Sequence, residues 1–600
     1  MDRESDTVTR TPLTVNRTQS RKRPCKRHYN WDTKGLQEGY PMAKPRKYYF
    51  SLSKYSGNRD LRESVSPVNG SQSLGVAYAE RPRLQTYEET AKKEISHQSV
   101  CETSFAICDS LRPHPPDVLI KLLKSCHLHH EQSPLKIVRA SYQYMYDDTN
   151  SEYLDCVNSV SHIGHCHPAV VEAVSVTMDS VINTCGWEID YGDLRYPKEL
   201  HQILPDHLDT FLFCNSGSEA VDLALQLARL YTNGTDAVVI DNAFHGSIGS
   251  IHHLSPKVAK SNNITKADWV HIVTMPDLYR GPYQEDDPLA VDRYVADAQD
   301  LIDKAQLTGR KIACFIAEPM LTVPGCIIPP STWLQEMYRM VRETGGLCIA
   351  DEVQTGLGRV GSHFWSFQAQ DVTPDILIMG KPVGNGYPMA SVATSRDIAA
   401  VLGERIKEYK CTRVMDAVGC AVLEVLQQDQ LMDSAAEVGA FLKKELVRLQ
   451  KKHEYIGDVR GRGLMFGIEI VWSKQSKKPA REIADHIVNR MKEEYVIMAN
   501  EGNSRNVLML LPPMCFTQEN ALLLIQRLDK VFTELPSHRF SRDHATGLPS
   551  DSVNTQPAIG VCEGRLGIMQ PQLDDDDDSI VSSRDKVELE HAQQSYEDLD

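Results

Sequence analysis

Two ionisable residues stand where apolar runs end, thirty positions apart: LCIA (347–350) is followed by Asp351, and ILIMG (376–380) by Lys381. Burying either charge is costly unless it meets an opposite charge or is used chemically. A direct Asp351–Lys381 ion pair is one account; a shared ligand gripped at both edges is the other. Two more apolar runs end in the same way. TFLFC (210–214) precedes Asn215, Ser216, Gly217 and Ser218, which open a helical pattern over 219–231. Small hydroxyl residues and a glycine at a helix start offer free N–H groups, either as an anion cradle or as an ordinary serine cap. AVVID (237–241) precedes Asn242, Ala243, Phe244, His245 and Gly246, whose aromatic ring could lie on a flat ligand or simply pack. Taken together, the four sites suit a planar ring that is cationic at one edge and carries a phosphate and an electrophile for a lysine. Pyridoxal 5′-phosphate has all of these. Lys381 would form its Schiff base, and Asp351 would keep the ring nitrogen protonated.

These residues need a scaffold that aligns strand ends. The short apolar runs, together with ACFIAE (313–318), read as buried strands, and 219–231 and 331–345 have helical spacing between them. Strands alternating with helices predict an α/β domain with a mostly parallel sheet, where ligands bind beyond the carboxyl ends of the strands. No internal repeat is visible.

The chain has 600 residues and a net charge of −16, unevenly spread. Residues 1–50 carry 12 Lys/Arg against 5 Asp/Glu, and residues 537–600 carry 5 against 14. Such an acidic whole excludes a general nucleic-acid binder, despite the basic run SRKRPCKR (20–27). No apolar run reaches the roughly 18 residues of a membrane span. The fifteen cysteines are odd in number and lack CxxC spacing, which fits reduced thiols. A cytoplasmic or mitochondrial location is expected. Residues 7–31 are Arg-, Ser- and Thr-rich like a transit peptide, but Asp2, Glu4 and Asp6 argue against one. His165, Cys166 and His167, and the cluster Cys126, His127, His129 and His130, have poor spacing for tetrahedral zinc, so no metal is expected.

Over about 118–536 the sequence resembles the class-III aminotransferases, fold-type I pyridoxal-phosphate enzymes. The resemblance rests on YLDCVNSVSHIGHCHP (153–168), FCNSGSEA (213–220), IADEVQTGLGRVG (349–361), MGKPVGNGYP (379–388), GDVRGRGLMFGIE (457–469) and LLPPMCF (510–516). KIVRASYQYMYDD (136–148), GRVGSHFWSFQ (358–368) and PPMCFTQENA (512–521) are similar to the phospho-lyase branch, which acts on ethanolamine phosphate or 5-phosphohydroxylysine. The resemblance implies a large pyridoxal-phosphate-binding α/β domain over 176–400 and a smaller α+β domain drawn from both ends, 118–175 and 401–536. A polar, basic extension (1–117) and an acidic tail (537–600), neither able to bury a core, would flank them.

It further implies that Ser216, Gly217 and Ser218 hold the cofactor phosphate. Phe244 stacks on the ring with His245 beside it, Val353 packs on the other face, and Gln354 reaches the phenolic oxygen. Thr412 would cap the phosphate of a partner subunit, making a homodimer, or a dimer of dimers, obligatory.

Departures bear on the substrate. Val323 replaces a glutamate that gates an arginine in many aminotransferases of the class, which resembles the phospho-lyases. Met509 and Leu511 stand where a basic residue would meet an anionic substrate. Val414 and Met415 replace two glycines at the partner phosphate and are expected to crowd it. Trp187 replaces an arginine and Val221 an asparagine. The expected activity is elimination of phosphate and ammonia from a small phosphorylated amine such as ethanolamine phosphate. The alternatives are transamination of an amine or amino acid, and a weakly active cofactor-binding scaffold.

Overall fold

The computed structural model describes residues 135–180 and 194–535. The expected N-terminal extension, the Cys126 to His130 cluster, Trp187 and the acidic tail lie outside the described residues.

Strands β1 (Ile137–Ser141), β2 (Tyr144–Asp147) and β3 (Glu152–Asp155) form an antiparallel meander. A seven-stranded sheet follows, made of β4 (Thr210–Cys214), β5 (Asp236–Ile240), β6 (Val270–Val273), β7 (Ile312–Ala317), β8 (Leu347–Asp351), β9 (Ile376–Met379) and β10 (Ala390–Thr394). Their order is β4-β10-β9-β8-β7-β5-β6. Only β10 runs against its neighbours β4 and β9. The other six therefore point one way, and the loops after β4, β5, β7, β8 and β9 open on one edge.

Every residue of β5, β7, β8 and β9 is buried, which explains their unbroken apolar runs. Helices cover the sheet. Helix Gly217–Thr232 links β4 to β5, and helix Ser331–Glu343 links β7 to β8. The latter buries Trp333, Leu334, Met337, Tyr338 and Val341, one stripe at helical spacing. β10, with the small-residue sequence ASVAT, carries no strong strand signature and was not anticipated.

The remaining strands are β11 (Ile456–Arg462), β12 (Met465–Ile470), β13 (Val496–Ile497), β14 (Ala499–Glu501) and β15 (Val507–Leu510). Four of them make an antiparallel sheet in the order β11-β12-β15-β14. β13 instead pairs in parallel with β3, so the two ends of the described chain share a sheet. This is the fold-type I arrangement of a large sheet beside a smaller α+β part. Arg359, fully buried, ties the two together: it donates to the carbonyls of Leu464 (3.1 Å) and Pro512 (2.8 Å).

Candidate active site

Asp351 is the last residue of β8 and is buried. Its Oδ2 lies 2.8 Å from His245 Nδ1, and its Oδ1 accepts the Val353 N–H at 3.1 Å. Asp351 thus pairs with His245 rather than with Lys381. His245 follows β5 and is buried as well; its N–H donates to Ser255 Oγ at 2.8 Å, and Ser255 Oγ donates to the Gly246 carbonyl at 2.7 Å. The other ring nitrogen, His245 Nε2, is buried and without a partner.

Lys381 opens the turn after β9 with φ of +33°, a left-handed conformation that is strained for a lysine. No hydrogen-bond acceptor for its Nζ is found among the described residues. Burial lowers its proton affinity, and the negative charges of Glu318, Asp351 and Glu501 only partly offset this. A desolvated amine whose proton affinity is lowered is equipped for nucleophilic and proton-transfer work.

Glu318 follows the last residue of β7. Burial, with the Asp351 charge beside it, pushes its carboxyl up to about 7. Its Oε2 accepts the Thr322 N–H at 3.0 Å, while Oε1 is buried and unpartnered. The strand pattern over 313–318 includes Glu318 and assigns it no role, although an acid closing an apolar run is the same signal that marks Asp351. Glu352 is also buried and raised, to about 8, by burial. Its bonds from Thr355 Oγ1 and the Phe367 N–H are structural.

The anticipated cradle lies at the start of helix Gly217–Thr232. Ser216 is its N-cap, and its Oγ accepts the Glu219 N–H at 3.2 Å. The N–H groups of the first turn have no partner inside the helix. Val353 sits in a notch between two glycines: a Cβ at Gly217 or at Gly380 would meet its methyl groups at 3.2 Å. A Cβ at Gly246, whose φ is +110°, would strike Ser218 Oγ at 2.5 Å. The β4, β5, β8 and β9 loops therefore meet closely. Phe244 is half-buried in the β5 loop. Gln354 Oε1 accepts from Ser159 Oγ at 2.8 Å, a partner the sequence did not suggest.

Thr412 stands apart from this cluster. It is exposed, and it caps helix Arg413–Gln428 by accepting the Met415 N–H at 3.2 Å. Val414 and Met415, the residues expected to crowd a partner's phosphate, are buried in the chain's own core, and the exposed side chains of this turn are Thr412 and Arg413. Met509 and Leu511 lie in an apolar cluster with Met320, Cys326, Val360 and Met465. His165 is bonded to Asp155 (2.7 Å) and Ser161 (3.0 Å). Among the described residues no group of three His, Cys, Asp or Glu side chains could hold a metal ion.

The class-III aminotransferase family profile matches residues 127–532. An alanine–glyoxylate aminotransferase 2-like protein of Drosophila melanogaster is 40% identical over 409 residues, covering 66% of this chain and 82% of the relative. An ethanolamine-phosphate phospho-lyase homolog of Caenorhabditis elegans is 38% identical over 426 residues, covering 68% and 90%. A phospholyase from Arthrobacter, solved with phosphoethanolamine, superposes with a TM-score of 0.66 at 31% identity. That match covers 70% of this chain and all of the other.

Proposed function

The chain belongs to the class-III aminotransferase family, whose cofactor is pyridoxal 5′-phosphate, and from that premise we propose that it eliminates phosphate and ammonia from a small phosphorylated amine such as ethanolamine phosphate. The residues fit the cofactor. The buried Asp351 carboxylate suits a cationic ring nitrogen, the unpartnered Lys381 amine suits an aldehyde, and the first turn of helix Gly217–Thr232 suits a phosphate. When bound, the cofactor supplies an electron sink for the substrate carbon next to nitrogen.

In this reading Asp351 holds the ring nitrogen protonated, and His245 orients the carboxylate through its 2.8 Å bond. Val353, beside Gly217 and Gly380, would pack on one face of the ring, and Phe244 would stack on the other with His245 beside it. Gln354 and Ser218 complete the ring and phosphate contacts. Lys381 Nζ would anchor the cofactor and, once freed by the incoming amine, would take the proton from the carbon beside the substrate nitrogen. Burial lowers the proton affinity of this amine. The C–O bond to phosphate then breaks with its electron pair leaving on oxygen. One water is consumed overall, and acetaldehyde, ammonia and phosphate are formed. Thr412, exposed at its helix start, is free to reach the cofactor phosphate of a second copy, so the reading includes a homodimer.

The observation that carries elimination over transamination is Val323. It is buried, with an apolar side chain at the position of the gating carboxylate. The test follows phosphate, ammonia and acetaldehyde from ethanolamine phosphate on one purified sample, with and without an amino acceptor. Stoichiometric release without acceptor is expected. Keto product formed only with acceptor would establish transamination instead.

A further inference from the structure

Val323 lacks a carboxylate and position 509 lacks a cation, yet a carboxylate and a cation meet beside them. Lys257, from the short helix Pro256–Ser261, points its Nζ at three oxygens: the Val323 carbonyl at 3.0 Å, Glu501 Oε2 at 3.2 Å and the Gly502 carbonyl at 3.3 Å. The pair is largely buried, with side chains 13% and 18% exposed. The Val323 carbonyl also accepts the Gly502 N–H at 3.1 Å, so loop and hairpin are locked at this spot. The Lys257 backbone N–H donates to the Ala243 carbonyl at 3.5 Å, in the loop after β5 that carries Phe244 and His245. Arg505, in the same hairpin, adds a second positive charge felt by Lys257. Its Nε is buried without an acceptor.

We propose that Lys257, with Arg505 beside it, receives the distal phosphate of the substrate, and that Glu501 holds the Lys257 ammonium until that group arrives. The identification of the anion as a phosphate monoester rests on the elimination reading above; the subsite itself does not. An ammonium with all three donors engaged can accept a new anion only by releasing an old partner. Of its three, the carboxylate is the one able to swing away, because the two carbonyls belong to the locked backbone. Glu501 thus does by side-chain exchange what a carboxylate at position 323 would do elsewhere in the class. Lys257 and Arg505 replace, from other elements, the cation absent at Met509. This accounts for the pairing of a strong resemblance to phosphate-handling enzymes with the loss of their usual basic residue.

The test is equilibrium binding to the cofactor-loaded, full-length protein, followed by the cofactor absorbance, with ethanolamine phosphate and with ethanolamine. The wild type should bind the phosphorylated amine at least about tenfold tighter, the size of one charge-assisted contact. Lys257→Met should erase that preference and leave ethanolamine binding within about twofold. Lys257→Arg should restore the preference, which separates charge from packing. Glu501→Gln should tighten binding of the phosphorylated amine. A wild type without preference, or a Lys257→Met protein that keeps it, overturns the subsite. Preference without phosphate release in the activity assay refutes the elimination reading and leaves the subsite standing.

Discussion

On the sheet side of the site, Asp351, His245, Glu318 and Lys381 come from four strand ends and act on one another's charges. On the small-domain side, Met509 and Leu511 lie with Met320, Cys326, Val360 and Met465 in a dry cluster. In the proposed reading the first surface serves the bond-breaking step common to the class, and the second selects substrates. They rest on different elements, so one can change without disturbing the other, and reaction type must be argued from the second.

The largest effect that separates the two surfaces belongs to Lys381. Replacing it by alanine removes both the anchor and the base, so kcat should fall by at least about 10⁴-fold. The melting temperature should not fall, because a buried amine without an acceptor contributes no favourable hydrogen bond. A protein that kept more than about a hundredth of its activity would break the assignment of the sheet side as the reacting surface. Met509→Arg tests the other surface. It puts an unpaired charge into a cluster where Met509 is 2% exposed, and should cost about 3 kcal/mol in urea unfolding. If that variant were stable and gained affinity for phosphorylated amines, the dry surface would be an anion site short of a single residue.

A third measurement sharpens the sheet side through pH. The Glu318 carboxyl is raised from its ordinary 4.5 to about 7 in the folded protein. The folded state therefore binds more protons than the unfolded one between these values. Its penalty is absent below about pH 4.5, grows as pH rises, and is complete above about pH 7. Glu318→Gln, which can still accept the Thr322 N–H, should match the wild type near pH 5 and exceed it by roughly 2–3 kcal/mol at pH 8 in the cofactor-free protein. A constant difference across that range would mean the carboxyl is not held in a desolvated site.

Legibility in the sequence follows the same division. Asp351 and Lys381 were visible because an ionisable residue ending an apolar run has few bland explanations. Glu318 sends the same signal and was passed over as the last residue of its strand. The parallel sheet was legible from its fully buried strands, whereas β10 was not, since ASVAT lacks the bulky β-branched and aromatic runs that mark a strand. Lys257 and Glu501 are 244 positions apart, on a short helix and an edge hairpin, and no local pattern joins them. Nor does anything in the sequence join Ser159 to Gln354. The order of the sheet is encoded locally, while the substrate side depends on contacts between distant segments.

The smallest predicted effect concerns Thr412, which belongs to neither surface within one chain. Its hydroxyl satisfies the Met415 N–H, so Thr412→Ala should cost about 1 kcal/mol from loss of the cap alone. Thr412→Ser should cost less, because its hydroxyl can make the same bond. If the exposed hydroxyl also reaches a phosphate in a second copy, the alanine variant must weaken cofactor binding, read as a higher dissociation constant, while Thr412→Asn, a competent cap with a different reach, loses cofactor affinity without losing stability. Equal cofactor affinity in all three variants would confine Thr412 to capping its own helix. The site would then owe nothing to a second copy at this residue.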